Sequence, residues 1–118
     1  MAEDAGMNLS LTASSTGAQT VLEVRGEVDV HSATQLQDRL FQIIGSGQQS
    51  VVVDLSWLAF IDSTGLGALV AVRNQAQQSG AVLRLVCGSA RTLKLFRITG
   101  LDAVFDIYPT VPQAIAAG

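Results

Sequence analysis

The run at residues 50–55, Ser-Val-Val-Val-Asp-Leu, limits what this chain can become more than any other stretch. Its consecutive valines point to both sides of a pleat, so a strand built from them needs cover on both faces. Glycine and serine signals bound it upstream. The spacing around it predicts that cover. Residues 32–47 place Leu36, Leu40, Ile43 and Ile44 on one helical stripe, with Ser32 as N-cap and Gly45 and Gly47 as the stop. Residues 63–80 read as a second helix ending at Gly80. Residues 81–87 are β-branched and strand-like. A helix at 90–100 follows, with Leu93, Leu95 and Phe96 inward, then an edge strand at 103–108. A short helix closes the series at 110–117, capped by Thr110 with Pro112 in its first turn. At the start, residues 8–14 alternate Leu9, Leu11 and Ala13, and residues 20–28 form a second strand. Turn chemistry at 16–19 makes the pair a hairpin.

Strands alternating with helices imply crossovers and a mainly parallel sheet, which the first hairpin makes mixed. The fold class is α/β, one domain over residues 8–118 with about four helices and a flexible tail at residues 1–7. A length of 118 residues suits one domain, and 48% hydrophobic with 14% charged residues excludes a disordered composition.

In open sheets of this kind, sites gather where strands end and helices begin. One such junction reads Ile61-Asp62-Ser63-Thr64-Gly65-Leu66-Gly67. A hydrolase nucleophile elbow requires G-x-S-x-G, and Ile61 stands where the first glycine belongs. The single histidine, His31, is the sole imidazole available as a base. A dinucleotide loop is also poorly matched, because Gly65-x-Gly67 lacks the third glycine, and no Walker motif exists. A structural reading has Ser63 or Thr64 capping the helix, Asp62 favouring its positive end, and Gly65 and Gly67 packing close to the sheet. A functional reading keeps that geometry and adds a phosphoryl acceptor. Free N–H groups and the helix dipole stabilise an added phosphate, while a docked partner meets about two new negative charges.

Charge and cysteine usage narrow the classes further. The formal net charge of −3 disfavours nucleic acid and anionic membrane surfaces as partners. The lone Cys87 excludes an internal disulfide and reads as a buried strand-end residue. One histidine and one cysteine make no structural zinc site, so no metal is expected. No apolar run reaches the roughly 20 residues that span a bilayer, and the acidic start carries no signal-peptide core. The expected location is cytoplasmic, without membrane insertion.

The stretch from Val51 to Val72 resembles the signature of STAS domains, specifically bacterial anti-sigma factor antagonists. Asp62, Ser63, Thr64, Gly65, Leu66 and Gly67 match the family's Asp-Ser-Ser/Thr-Gly-Leu-Gly. Upstream, Gly26, Glu27, Asp29 and Ala33 match a second family segment, and residues 79–115 follow the usual course through Thr99-Gly100-Leu101. The resemblance implies a binding module and no enzyme. It implies an anti-sigma factor partner, commonly a serine kinase, whose capture frees a sigma factor. Phosphorylation of Ser63, with Thr64 as a minor alternative, releases the partner, and a phosphatase restores binding. ATP and Mg²⁺ then belong to the kinase, and this chain needs no cofactor. Asp29, Asp62, Ser63, Thr64, Gly65 and Leu66 are the implied partner-binding residues. STAS subunits of scaffold or transport complexes share the motif and stand as the alternative, with a small serine hydrolase more remote.

Other residues divide between structure and use. Asp29 shapes either the partner surface or the start of the next helix. His31 reads as an exposed loop residue. Arg91, Lys94 and Arg97 share a helix face expected to be solvated, with contact to an acidic partner patch as the sharper alternative. Trp57 is expected to pack beneath the loop before the motif, with an exposed interface anchor as the alternative, and Asp54 to bond backbone amides at a strand end.

Overall fold

A computed structural model describes residues 8–117. The expected tail at residues 1–7 lies outside the described residues. Ten elements follow in order: β1 (Leu9–Thr16), β2 (Gln19–Val28), α1 (Ala33–Gly45), β3 (Ser50–Ile61), α2 (Ser63–Ser79), β4 (Val82–Val86), α3 (Ala90–Ile98), a 3-10 turn (Leu101–Ala103), β5 (Asp106–Tyr108) and α4 (Val111–Ala117). The strands lie side by side in sequence order. β1 and β2 are antiparallel, and every later pair is parallel. The mixed sheet with its N-terminal hairpin is therefore the one the sequence predicts.

The central strand is covered as its valines require. Val51, Val53 and Leu55 face the main core with Leu22, Val24 and Leu85, under α1 and α2. Leu36, Leu40, Ile43 and Ile44 are the buried stripe of α1. Val52 and Val86 face the other way and pack against Ala114 of α4. Phe96 of α3 closes the main core and meets Phe105 edge to face, with ring centroids 5.9 Å apart.

β3 runs six residues beyond its expected end, to Ile61. Its register against β2 slips between Glu23 and Arg25 and again between Gly26 and Glu27. Each slip is a β-bulge that inserts a residue into β3 and re-aims the side chains that follow. Leu55, Leu58 and Ile61 therefore turn inward at three-residue spacing. β2 accommodates the distortion at Gly26, whose φ of +102° favours glycine. A side chain there would also strike the Asn8 carbonyl, which accepts the Glu27 amide at 2.7 Å.

The bulges carry Trp57 outside. Its indole is exposed, not packed beneath a loop, and the Arg25 guanidinium lies 4.6 Å over the ring. Arg25 is held there by Glu23 at 2.9 Å. Asp54 behaves as expected: it is buried and accepts the Ser56 amide at 2.9 Å. Ser32 does not cap α1 with its side chain; Asp29 serves that end of the helix instead, as described below.

The two motif glycines differ in kind. A Cβ on Gly65 would lie 2.7 Å from both Ile61 Cγ1 and Val28 Cγ1, so the backbone of α2 meets the sheet closely at that residue. A Cβ on Gly67 would meet nothing within 4 Å, so the expected packing role of Gly67 is not observed. Gly65→Ala is expected to lower stability by about 1–3 kcal/mol, because buried branched side chains must move. Gly67→Ala is expected to raise it by about 0.5–1 kcal/mol, as alanine replaces glycine inside an exposed helical turn. Urea unfolding midpoints of the two variants check the opposite signs.

Candidate functional site

The site is built where β2 and β3 end together. Val28 and Ile61 are register partners, so Asp29 and Asp62 are the next residues on two adjacent chains. The Asp62 amide donates to the Val28 carbonyl at 3.1 Å and ties the exits together. Asp62 is the N-cap of α2: its backbone is extended, and its carboxylate accepts the Gly65 amide at 3.0 Å. The cap is therefore Asp62, not Ser63 or Thr64. Ser63 and Thr64 occupy the first two helical positions, and both are exposed.

This arrangement leaves a hydroxyl on a rigid helix start with its surroundings already bonded. The first-turn amides of Ser63 and Thr64 have no acceptor within the helix, and the helix dipole adds positive potential there. An anion attached to Ser63 is thus favoured electrostatically without any movement of the core. Gly65 and Leu66 do not share that exposure. Both are buried, Leu66 within the main core. The resemblance implies both as partner-binding residues; in the structure they are buried and hold the start of α2 in place.

Asp29 is engaged in a tight local turn. Its Oδ1 accepts the His31 amide at 2.9 Å and the Ser32 amide at 3.1 Å. The Ser32 hydroxyl accepts the Asp29 amide at 3.0 Å and donates to the Glu27 carbonyl at 2.9 Å. The Ala33 amide reaches the Asp29 carbonyl at 2.8 Å, so the turn leads straight into α1. The His31 amide, opposed by partial desolvation and aided by Ser32, holds the Asp29 carboxyl below its ordinary value. Asp29 is accordingly ionised at neutral pH. His31 itself is exposed, and its backbone is the part engaged.

Cys87 is the remaining candidate nucleophile. It is buried and unpaired, and burial pushes its thiol up, away from the reactive thiolate. Among the described residues, no three His, Cys, Asp or Glu side chains gather as a metal site. A cleft of about 770 Å³ lies among Gln19, Gln48 and Arg84, at the starts of the strands and thus at the opposite end of the sheet from Ser63. No helix of the described residues is long and apolar enough to cross a membrane.

Three surface residues near the junction escaped sequence reasoning. Val30, Phe60 and Ile98 are 64%, 49% and 70% exposed. Val30 sits in the Asp29 turn, and Phe60 precedes Ile61 on β3. No periodic signal marks them, because Phe60 follows the second bulge and Ile98 ends its helix.

The sequence profile of the STAS domain matches residues 11–114. The anti-sigma-B factor antagonist of Bacillus subtilis (strain 168) is 32% identical over 101 residues, covering 86% of this chain and 92% of that protein. Among solved structures, an anti-sigma factor antagonist from Mycobacterium paratuberculosis superposes with a TM-score of 0.85 at 27% identity, covering 92% of each chain. The Bacillus cell fate determinant SpoIIAA in its phosphorylated form shares the fold, with a TM-score of 0.70 at 22% identity over 92% of this chain and 98% of that one. The relatives that match along nearly their whole length are regulatory binding proteins rather than enzymes. With its family profile spanning the sheet, the capped α2 and the Asp62–Gly67 motif, this chain belongs to the STAS domain family.

Proposed function

We propose that this protein is an anti-sigma factor antagonist, switched by phosphorylation of Ser63. The observation that carries the reading is the exposed Ser63 hydroxyl at the first position of α2, beside a cap that Asp62 already supplies. The relatives in Bacillus subtilis and Mycobacterium paratuberculosis, both antagonists of anti-sigma factors, support the same class of partner. That a protein of this fold exists in a phosphorylated form supports the chemistry.

In this reading the unmodified surface, formed by Asp29, Asp62, Ser63 and Thr64, docks on an anti-sigma factor and frees its sigma factor. The partner is a serine kinase in the cytoplasm that brings ATP and Mg²⁺, and the chain itself holds no cofactor. Transfer of the γ-phosphoryl to Ser63 Oγ, with loss of its proton, adds about two negative charges to a surface that already carries Asp29 and Asp62. A partner fitted to the neutral hydroxyl then faces like charge and buried hydration, and separates. The fold does not separate with it, because the phosphate sits where helix amides are free. A phosphatase resets the switch. Thr64 is the neighbouring, lesser acceptor.

Titration calorimetry with the cognate anti-sigma factor checks this directly. Ser63→Ala is expected to bind like the unmodified protein and, by intact mass in the presence of ATP and Mg²⁺, to lose all phosphorylation but a minor fraction on Thr64. Ser63→Asp is expected to bind roughly tenfold more weakly or worse, a loss of about 1.4 kcal/mol or more. Equal affinity for all three forms, or an unmodified wild-type mass, overturns the switch.

Asp29 provides a second test. Asp29→Asn keeps an oxygen to accept the His31 and Ser32 amides, so the variant is expected to fold, with a urea midpoint at neutral pH near that of wild type. Binding of the anti-sigma factor is expected to fall, since the charge is gone. The pH dependence follows from the lowered carboxyl. Its stabilisation is present above the ordinary value of 3.8 and is lost as the pH drops through the folded value, so acid unfolding of Asp29→Asn is less steep in that window. An Asn variant with unchanged affinity leaves Asp29 a purely structural residue.

A further inference from the structure

Beside the Ser63 junction runs an apolar groove that the phosphoryl switch does not use. It encloses about 310 Å³ between the end of β3 and α3, with Phe60, Ile61, Leu95 and Ile98 as its apolar lining and Arg91 and Lys94 on its rim. Arg91, Lys94, Leu95 and Ile98 fall at the spacing of one helical stripe; Arg91, Lys94 and Ile98 are exposed, half-buried Leu95 floors the groove against the core, and Phe96 fills the core itself. Ile98 is 70% and Phe60 49% exposed, values that a solvated face does not call for.

The charge of the groove runs against that of the chain. The protein carries a net charge of −3, yet α3 holds three of its seven basic residues and no acidic one. No acidic residue lines the groove, and none of Arg91, Lys94 and Arg97 forms an ion pair among the described residues. A surface that is apolar in the middle and cationic at the rim is complementary to an amphipathic segment with carboxylates flanking its apolar side chains.

We infer that this groove is a second docking point for the anti-sigma factor, and that it receives an acidic amphipathic segment of that partner. The inference rests on the function proposed above and names the chemistry of the partner. Ile61 ends the groove, and Ser63 follows two residues later, at most about 7.6 Å away between Cα atoms. That is within about one Debye length at physiological salt. A phosphoryl group on Ser63 therefore repels acidic residues seated at this end of the groove. The sign of the switch follows: an acidic partner segment beside the acceptor makes phosphorylation release it. A second copy of this chain fits less well, because two proteins of net charge −3 repel one another.

The test uses the full chain and its purified anti-sigma factor. Arg91→Glu combined with Lys94→Glu is expected to weaken binding at least tenfold and to flatten the decline of affinity with salt. Ile98→Ser is expected to weaken it several-fold. Arg39→Glu, a charge reversal on α1, is expected to bind as wild type does. Circular dichroism melts confirm that these surface variants fold. A photoreactive benzoylphenylalanine in place of Ile98 is expected to crosslink a segment of the anti-sigma factor rich in Asp and Glu. Crosslinking to a basic or uncharged segment, to lipid, or to a second copy of this chain overturns the inference, as does an unchanged affinity of the double variant. If Ser63→Asp still weakens binding while the double variant does not, the groove assignment fails and the switch stands. If the wild-type chain binds no anti-sigma factor, both fail together.

Discussion

The approach of α2 to the sheet at Gly65 is the contact on which this surface depends. Valine and isoleucine γ-carbons stand where a methyl group would go, so the helix start is held against the exits of β2 and β3 at a distance only glycine permits. Two hydrogen bonds complete the fixture, from the Asp62 amide to Val28 and from the Gly65 amide to Asp62. The backbone around Ser63 is thereby determined from both sides. The freedom left at the start of α2 belongs to the exposed side chains of Ser63 and Thr64. A modification there acts on a fixed platform, and the change in surface is not diluted by movement underneath.

The order of elements was legible because each helix keeps its apolar stripe and each strand its bounding turn residues. The second half of β3 was not. A strand is read by alternation, and the two bulges replace alternation with an inward set at Leu55, Leu58 and Ile61. Residues 56–61 therefore look like a loop to any reading based on period. The same bulges send Trp57 outward, where Arg25 covers one face of the ring. No local signal in the sequence states which side of a distorted strand an indole will occupy, since its partner lies on another strand.

Caps show a second limit. Asp29 and Ser32 are both good capping residues, and Asp62, Ser63 and Thr64 stand in a row. Which of them caps is decided by backbone angles. Ser32 already has helical φ and ψ, which turns its hydroxyl back to Glu27 and Asp29. Asp62 is extended, which aims its carboxylate down the first turn. Composition offers several donors and acceptors, and tertiary connection selects among them. The motif was recognisable as a unit, but its division into support and surface emerges only from burial. Gly65 and Leu66 are support; Ser63 and Thr64 are surface.

In the proposed switch, that division would let a small domain release its partner without refolding. The Oδ1 atoms of both carboxylates at this junction are already bonded to backbone donors: that of Asp62 to Gly65, and that of Asp29 to His31 and Ser32. A new phosphate takes none of these donors, since the amides of Ser63 and Thr64 lie free at the helix start. The native state therefore gains an anion at little structural cost, whereas a docked partner must place its own groups against two carboxylates and a phosphoryl group. In the proposed function, the difference between those two responses would be the free energy of the switch, and it would grow with the negative charge of a partner segment laid along the cationic rim of Arg91 and Lys94.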